Sequence, residues 1–167
     1  MTAADWALYA SIWTGVVLFV AGEVAKRRRR PASGWGWYLW TAGACLTGAH
    51  TLIALAVAHG WEHGAAIEAT ARQTESVYGV GWRGGIYVNY VFLAAWISEI
   101  VWWRLNPEGY FARSAALTMV LRSFYFVVLV NAAVVFASPP RRAAGLALMA
   151  ALLWAWRPPP AMRAANF

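Results

Sequence analysis

The chain has 167 residues, of which 61% are hydrophobic and 13% charged, about half the charged share of an ordinary soluble domain. Its mean hydropathy of +0.48 points the same way, so the composition predicts an all-α integral membrane helix bundle and excludes a soluble globular fold. The net charge of +7 is no sign of nucleic-acid binding, because the basic residues sit at the ends of apolar runs rather than along one amphipathic face.

The first apolar run, Trp6 to Ala25, is followed and not preceded by its charges, Lys26-Arg27-Arg28-Arg29-Arg30. That order predicts a first transmembrane helix that starts outside, not a cleavable signal. Pro31-Ala32-Ser33-Gly34 makes the turn into a second span, 35–59. Along it Gly43, Ala44, Thr47 and Gly48 form small-xxx-small spacings that let another backbone come close. The single cysteine, Cys45, lies in this run and can form no intrachain disulfide.

Residues 60–85 form the one sizeable loop, expected on the periplasmic side. Its middle, Glu62 to Tyr78, predicts a short helix with Glu68 and Arg72 spaced for an i,i+4 pair, ended by Gly79, Gly81, Gly84 and Gly85. A third span covers 86–103 and is capped by Arg104. Leu105 to Gly109 turns the chain into a fourth, 115–137, which stops at Ser138-Pro139-Pro140.

The last apolar run, 143–156, has only 14 residues, a length more usual for a re-entrant or interfacial piece. Charge bias decides in favour of a fifth, short span. With it, Lys26 to Arg30, Arg104, Arg113, Arg157 and Arg163 are cytoplasmic, nine in all, against Arg72, Arg83, Arg141 and Arg142 outside. Without it the split is seven against six. The expectation is one transmembrane domain of five helices, amino terminus outside and carboxyl terminus cytoplasmic, as a multi-pass protein of a bacterial inner membrane.

Polar residues inside apolar runs are costly and mark candidate sites. At the cytoplasmic level stand Glu23, Glu99 and Arg122. Glu99 lies about 7 Å inside Arg104 and Arg122 about 13 Å along from Arg113 at 1.5 Å per residue. Consecutive antiparallel spans put Glu99 and Arg122 at similar depth, which predicts a buried ion pair.

The outer level is richer. His59, Glu62 and His63 stand at the exit of span two, Gln73, Thr74 and Glu75 in the loop, and Tyr87, Asn89 and Tyr90 at the start of span three. Asn131 is in the outer part of span four and His50 deeper in span two. His59 and His63 are four residues apart, about 40° round a helix, so both imidazoles could face one metal ion with Glu62 beside them. His59-Gly60-Trp61-Glu62-His63 also satisfies the inverted zinc-protease pattern H-x-x-E-H, weakened by Gly60 and Gly64 and by a third ligand that the pattern does not identify, for which Glu68 or Glu75 is available.

A haem or chlorin would call on His50, alone or from two protomers, because His50 and His59 point about 180° apart on a straight helix. Most of the twelve tryptophans read as an interfacial belt. Trp96 is the one well inside a span, and it is a candidate to line a pigment or lipid pocket.

The strings His59-Gly-Trp-Glu-His63, Thr70-Ala-Arg-Gln-Thr74 and Gly84-Gly-Ile-Tyr-Val-Asn-Tyr90 resemble a stretch of small uncharacterised bacterial membrane proteins, over about residues 49–110. The resemblance implies that the outer hairpin is the distinctive part, with no activity attached. Three functions fit the residues. One is a binding or accessory subunit of a membrane complex, surrounded by lipid and by other subunits or copies of itself, with a ligand or metal site at its outer face. Another is a membrane oxidoreductase or metal-dependent enzyme using His50, His59 and His63. The third is an oligomeric transporter using Glu99 and Arg122.

Overall fold

The computed structural model describes residues 2–27 and 34–157, and among them every regular element is helical. Arg28 to Arg30 of the basic block, the turn residues Pro31 to Ser33, and Arg163 lie outside the described residues.

Helix α1 (Ala3–Lys26) opens on a capping box. The Thr2 hydroxyl accepts from the Asp5 amide at 3.2 Å, and the Asp5 carboxylate accepts from the Thr2 amide at 2.7 Å. Helix α2 (Trp35–Ile53) runs on into a wide π-helical turn, Ala54–Ala58. Backbone reversal follows at Gly60 and Trp61, both at positive φ (57° and 64°), and α3 (His63–Tyr78) ends on the left-handed Gly79. Helix α4 (Gly85–Leu105) is joined through Asn106, which caps the short α5 (Pro107–Ala112), to α6 (Ala115–Val130). A second π-helical turn, Asn131–Val135, extends α6, and α7 (Pro139–Trp156) closes the described fold.

Four segments are long and apolar enough to cross a membrane: Ala3–Lys26, Trp35–Ala58, Gly85–Leu105 and Ala115–Val135. Helix α7 is not among them, because its first turn carries Arg141 and Arg142. It is nonetheless a full helix of 18 residues, four longer than the apolar run. Pro139 and Pro140 do not stop the chain but start this helix, at positions where no amide donor is needed.

The long helices close into a ring: α1 packs on α2, α2 on α4, α4 on α6, α6 on α7, and α7 back on α1. Helix α3 leans on α4 and on the π turn of α2 at one end of that ring, here called the α3 end. The opposite end carries Lys26, Arg27, Arg113 and Arg157 and is called the basic end.

Glycines set the closest approaches. A Cβ on Gly15 would stand 2.6 Å from the Thr47 hydroxyl, and one on Gly43 would stand 3.1 Å from the Gly15 carbonyl. The small-residue stripe of α2 is thus used within the chain, with Gly43, Ala44 and Thr47 buried, and is not left over for a partner.

Inside the ring an aromatic core of Phe19, Trp40, Phe92, Trp96, Trp103, Tyr110 and Tyr125 interlocks, Phe19 edge to face with Trp96 at 4.7 Å and with Tyr125 at 5.4 Å, and Trp103 stacked on Tyr110 at 5.6 Å. Trp40 and Trp103 therefore belong to the core and not to an interfacial belt. Gly22 makes room for Trp40, whose ring a Cβ there would meet at 2.5 Å.

Candidate functional site

Between the aromatic core and the α3 end lies a cavity of about 1020 Å³. Its walls come from every long helix of the ring and from α3. Val16, Phe92, Trp96 and Phe124 form the apolar part next to the core. Thr47, His50, Thr51, Thr70, Asn89 and Asn131 add hydrogen-bonding groups, and Asp5, Gln73 and Arg141 complete the lining toward the α3 end. Of the residues the sequence singles out, the structure brings His50, Trp96, Asn89, Asn131 and Gln73 to this one space.

Each is positioned by its element. His50 sits in the last α-helical turn of α2 and turns its Nδ1 to the Leu8 carbonyl of α1 at 3.0 Å, with the Ser11 hydroxyl at 3.4 Å. Ser11 itself is tied back to Ala7 and Leu8, so the imidazole is held by two partners on α1. Trp96 is 1% exposed, and its indole N–H has no acceptor among the described residues. Asn131 opens the π turn of α6. Its amide donates to the Val127 carbonyl at 2.8 Å, and its side-chain carbonyl accepts the Tyr78 hydroxyl from α3.

Both π turns, Ala54–Ala58 and Asn131–Val135, stand at the α3 end, and Ala54, Asn131 and Ala132 are part of the cavity wall. Wide turns of this kind are rare and recur at functional sites. Helix α3 is pinned over the space by three contacts. These are Tyr78 with Asn131, the Trp82 amide donating to the Thr74 hydroxyl at 2.8 Å, and an ion pair between Glu68 and Arg83. Glu68 meets Arg83 of the returning loop, so the expected pairing with Arg72 along α3 is not formed.

The proposed metal ligands do not share this space. The helical i,i+4 relation of His59 and His63 is lost, because the chain reverses between them at Gly60 and Trp61. His59 is half-buried at the end of the π turn and His63 begins α3, where its ring stacks on Tyr90 at 5.8 Å and meets Tyr87 edge-on at 5.9 Å. Glu62 is exposed. Among the described residues no group of three His, Cys, Asp or Glu side chains is disposed to hold a metal ion.

At the basic end the buried charges form a second layer. Lys26 donates to Glu23 at 2.6 Å and to the Tyr110 hydroxyl at 2.7 Å, and lies over the face of Trp40 at 2.8 Å. The other oxygen of Glu23 accepts the Trp156 indole at 2.7 Å. Glu99 pairs with Arg113 and accepts from the Tyr125 hydroxyl at 3.0 Å. Burial, reinforced by the Glu23 carboxylate, pushes the Tyr110 phenol above its ordinary range, so it stays a neutral hydroxyl.

The expected partnership of Glu99 with Arg122 is therefore replaced by one with Arg113. The short α5 folds the chain back so that Arg113, at its C-terminal end, reaches Glu99. Sequence reasoning missed Lys26, Tyr110 and Trp156 in this layer. Of these only Lys26 carried a local signal, one helical turn after Glu23. No family model, no curated protein and no solved structure matches the chain.

Proposed function

We propose that the protein lies in a membrane, a bacterial inner membrane on the expected placement, as a five-helix binding subunit that holds an amphipathic small molecule in the cavity at its α3 end. The observation that carries this reading is the cavity itself. It has an apolar floor of Val16, Phe92, Trp96 and Phe124, a sparse set of hydrogen-bonding groups higher on the walls, and a volume of about 1020 Å³. A concave, mostly apolar space with few convergent polar groups is the usual form of a ligand site.

The oriented imidazole of His50 suits a ligand with a polar group near α2. With the amino terminus outside, the cavity faces the outer leaflet side and α3 lies across it. Among the described residues the donor set gives no support to the metal-dependent enzyme reading.

The test is organic extraction and mass spectrometry of protein purified in mild detergent, compared with an Asn89→Trp variant that fills the cavity. A small molecule recovered near one per chain from the parent and depleted in the variant is the expected result. Equal recovery from both, or none from either, removes the binding role.

A further inference from the structure

Among the described residues Arg122, like Arg27, meets no carboxylate at the basic end, but Arg27 is satisfied by three backbone carbonyls and Arg122 is not. The chain has seven acidic side chains. Asp5, Glu62, Glu68 and Glu75 belong to the α3 end, Glu108 is exposed on α5, and Glu23 and Glu99 are taken by Lys26, Trp156, Arg113 and Tyr125. At this end Lys26, Arg27, Arg113 and Arg122 stand against Glu23 and Glu99, four positive charges against two negative among the described residues. Among the described residues the buried Nε of Arg122 has no partner, its Nη1 lies 3.5 Å from the Trp156 carbonyl, and the guanidinium stands 5.4 Å from the centre of the Trp156 ring.

Arg122 also lines a notch of about 430 Å³ between α6 and α7. Among the described residues the notch arises because α7 ends at Trp156, beside Arg122, while α6 continues back to Ala115, roughly 10 Å further at 1.5 Å per residue. Thr118 and Ser123 add hydroxyls to it, and Met119, Phe126 and Leu153 give it an apolar side that is continuous with the exposed faces of both helices.

We infer that this notch binds the phosphodiester of an anionic membrane phospholipid, with Arg122 as its charge partner and an acyl chain along Met119, Phe126 and Leu153. A negative charge offsets part of the cationic excess. The planar guanidinium, through its terminal nitrogens, matches phosphate oxygens, the commonest anions at a membrane surface. The apolar side selects a lipid over a free phosphate, and the net charge selects an anionic over a zwitterionic headgroup. The inference rests on the membrane placement but not on occupancy of the cavity at the α3 end.

The experiment is native mass spectrometry and thermal melting of the full chain in detergent with added phosphatidylglycerol, phosphatidylcholine or millimolar inorganic phosphate. One phosphatidylglycerol should be retained per chain and raise the melting temperature, with about tenfold weaker retention in Arg122→Gln. Leu153→Trp, which fills the notch and leaves the arginine in place, should weaken it similarly, while Asn89→Trp should not. Phosphatidylglycerol retained equally by the parent and Leu153→Trp would overturn the site. Equal stabilisation by inorganic phosphate would assign it to a free anion, and equal retention of phosphatidylcholine would remove the charge argument. Failure of the Asn89→Trp extraction alone would touch only the cavity.

Discussion

Gly145 shows how much can hang on one missing methyl. Helix α7 crosses the π turn of α6 there, and a Cβ would run into the backbone carbonyl of Ala133. Backbone cannot step aside as a flexible side chain can, so Gly145→Ala should destabilise by about 1–3 kcal/mol or more, read as a lower melting temperature in detergent. The buried carboxylates make a second residue-scale test. Because Glu99 is paired with Arg113, a double-mutant cycle of Glu99→Gln and Arg113→Gln should show a coupling of about 1–3 kcal/mol. Glu99→Gln combined with Arg122→Gln should instead add within about 0.5 kcal/mol. A strong coupling of Glu99 to Arg122 would restore the pairing expected from helical spacing alone.

At the scale of elements, the four long apolar helices and the glycine-bounded α3 were legible, since span length and turn chemistry are local properties. The two π turns were not. Ala54-Leu-Ala-Val-Ala58 and Asn131-Ala-Ala-Val-Val135 read as ordinary apolar helix, and only the polar Asn131 marked the second. Burial was equally hard to read in α4, where Val91 and Val101 face outward and Phe92 and Trp96 face inward. A helix that is apolar all round gives no stripe by which lipid and core sides can be told apart.

A π turn holds one residue more than an α-helical turn needs. Deleting Ala56 should therefore let α2 close as regular helix and leave the contacts of Gly43, Ala44 and Thr47 with α1 intact. Deleting Ala42 should rotate one half of the helix by about 100° against the other and break that interface. Circular dichroism and thermal melts of the two deletions would check this, and equal damage by both would mean that the wide turn holds no slack.

For the whole molecule, what was legible was a helix bundle with two polar levels. What was not is the ring, because partners such as Glu23 with Trp156 and Arg113 with Glu99 depend on how distant helices meet. The ring encloses a cavity within a single chain, so no oligomer is needed to form one. The orientation expected from charge bias puts the cavity outside, and labelling tests it. In a Cys45→Ala background, Ser76→Cys on α3 should react with an impermeant thiol reagent in intact spheroplasts. Protection there, with labelling only after lysis, would turn the cavity to the cytoplasm.

The joint between α1 and α7 sets an order of events during synthesis. Arg27 donates to the carbonyls of Trp154, Ala155 and Arg157, and Glu23 takes its indole donor from Trp156, partners 127 to 133 positions later in the chain. At translation rates of about 5–20 residues per second, the first helix waits on the order of ten seconds for groups that only the last helix supplies. On the proposed membrane placement, Lys26 holds one oxygen of Glu23 from the start, while its other oxygen and Arg27 fall to water, insertion machinery or lipid headgroups through that interval. The bundle is thus latched by α7, and a nascent chain halted before Pro139 should stay open to quality-control proteolysis.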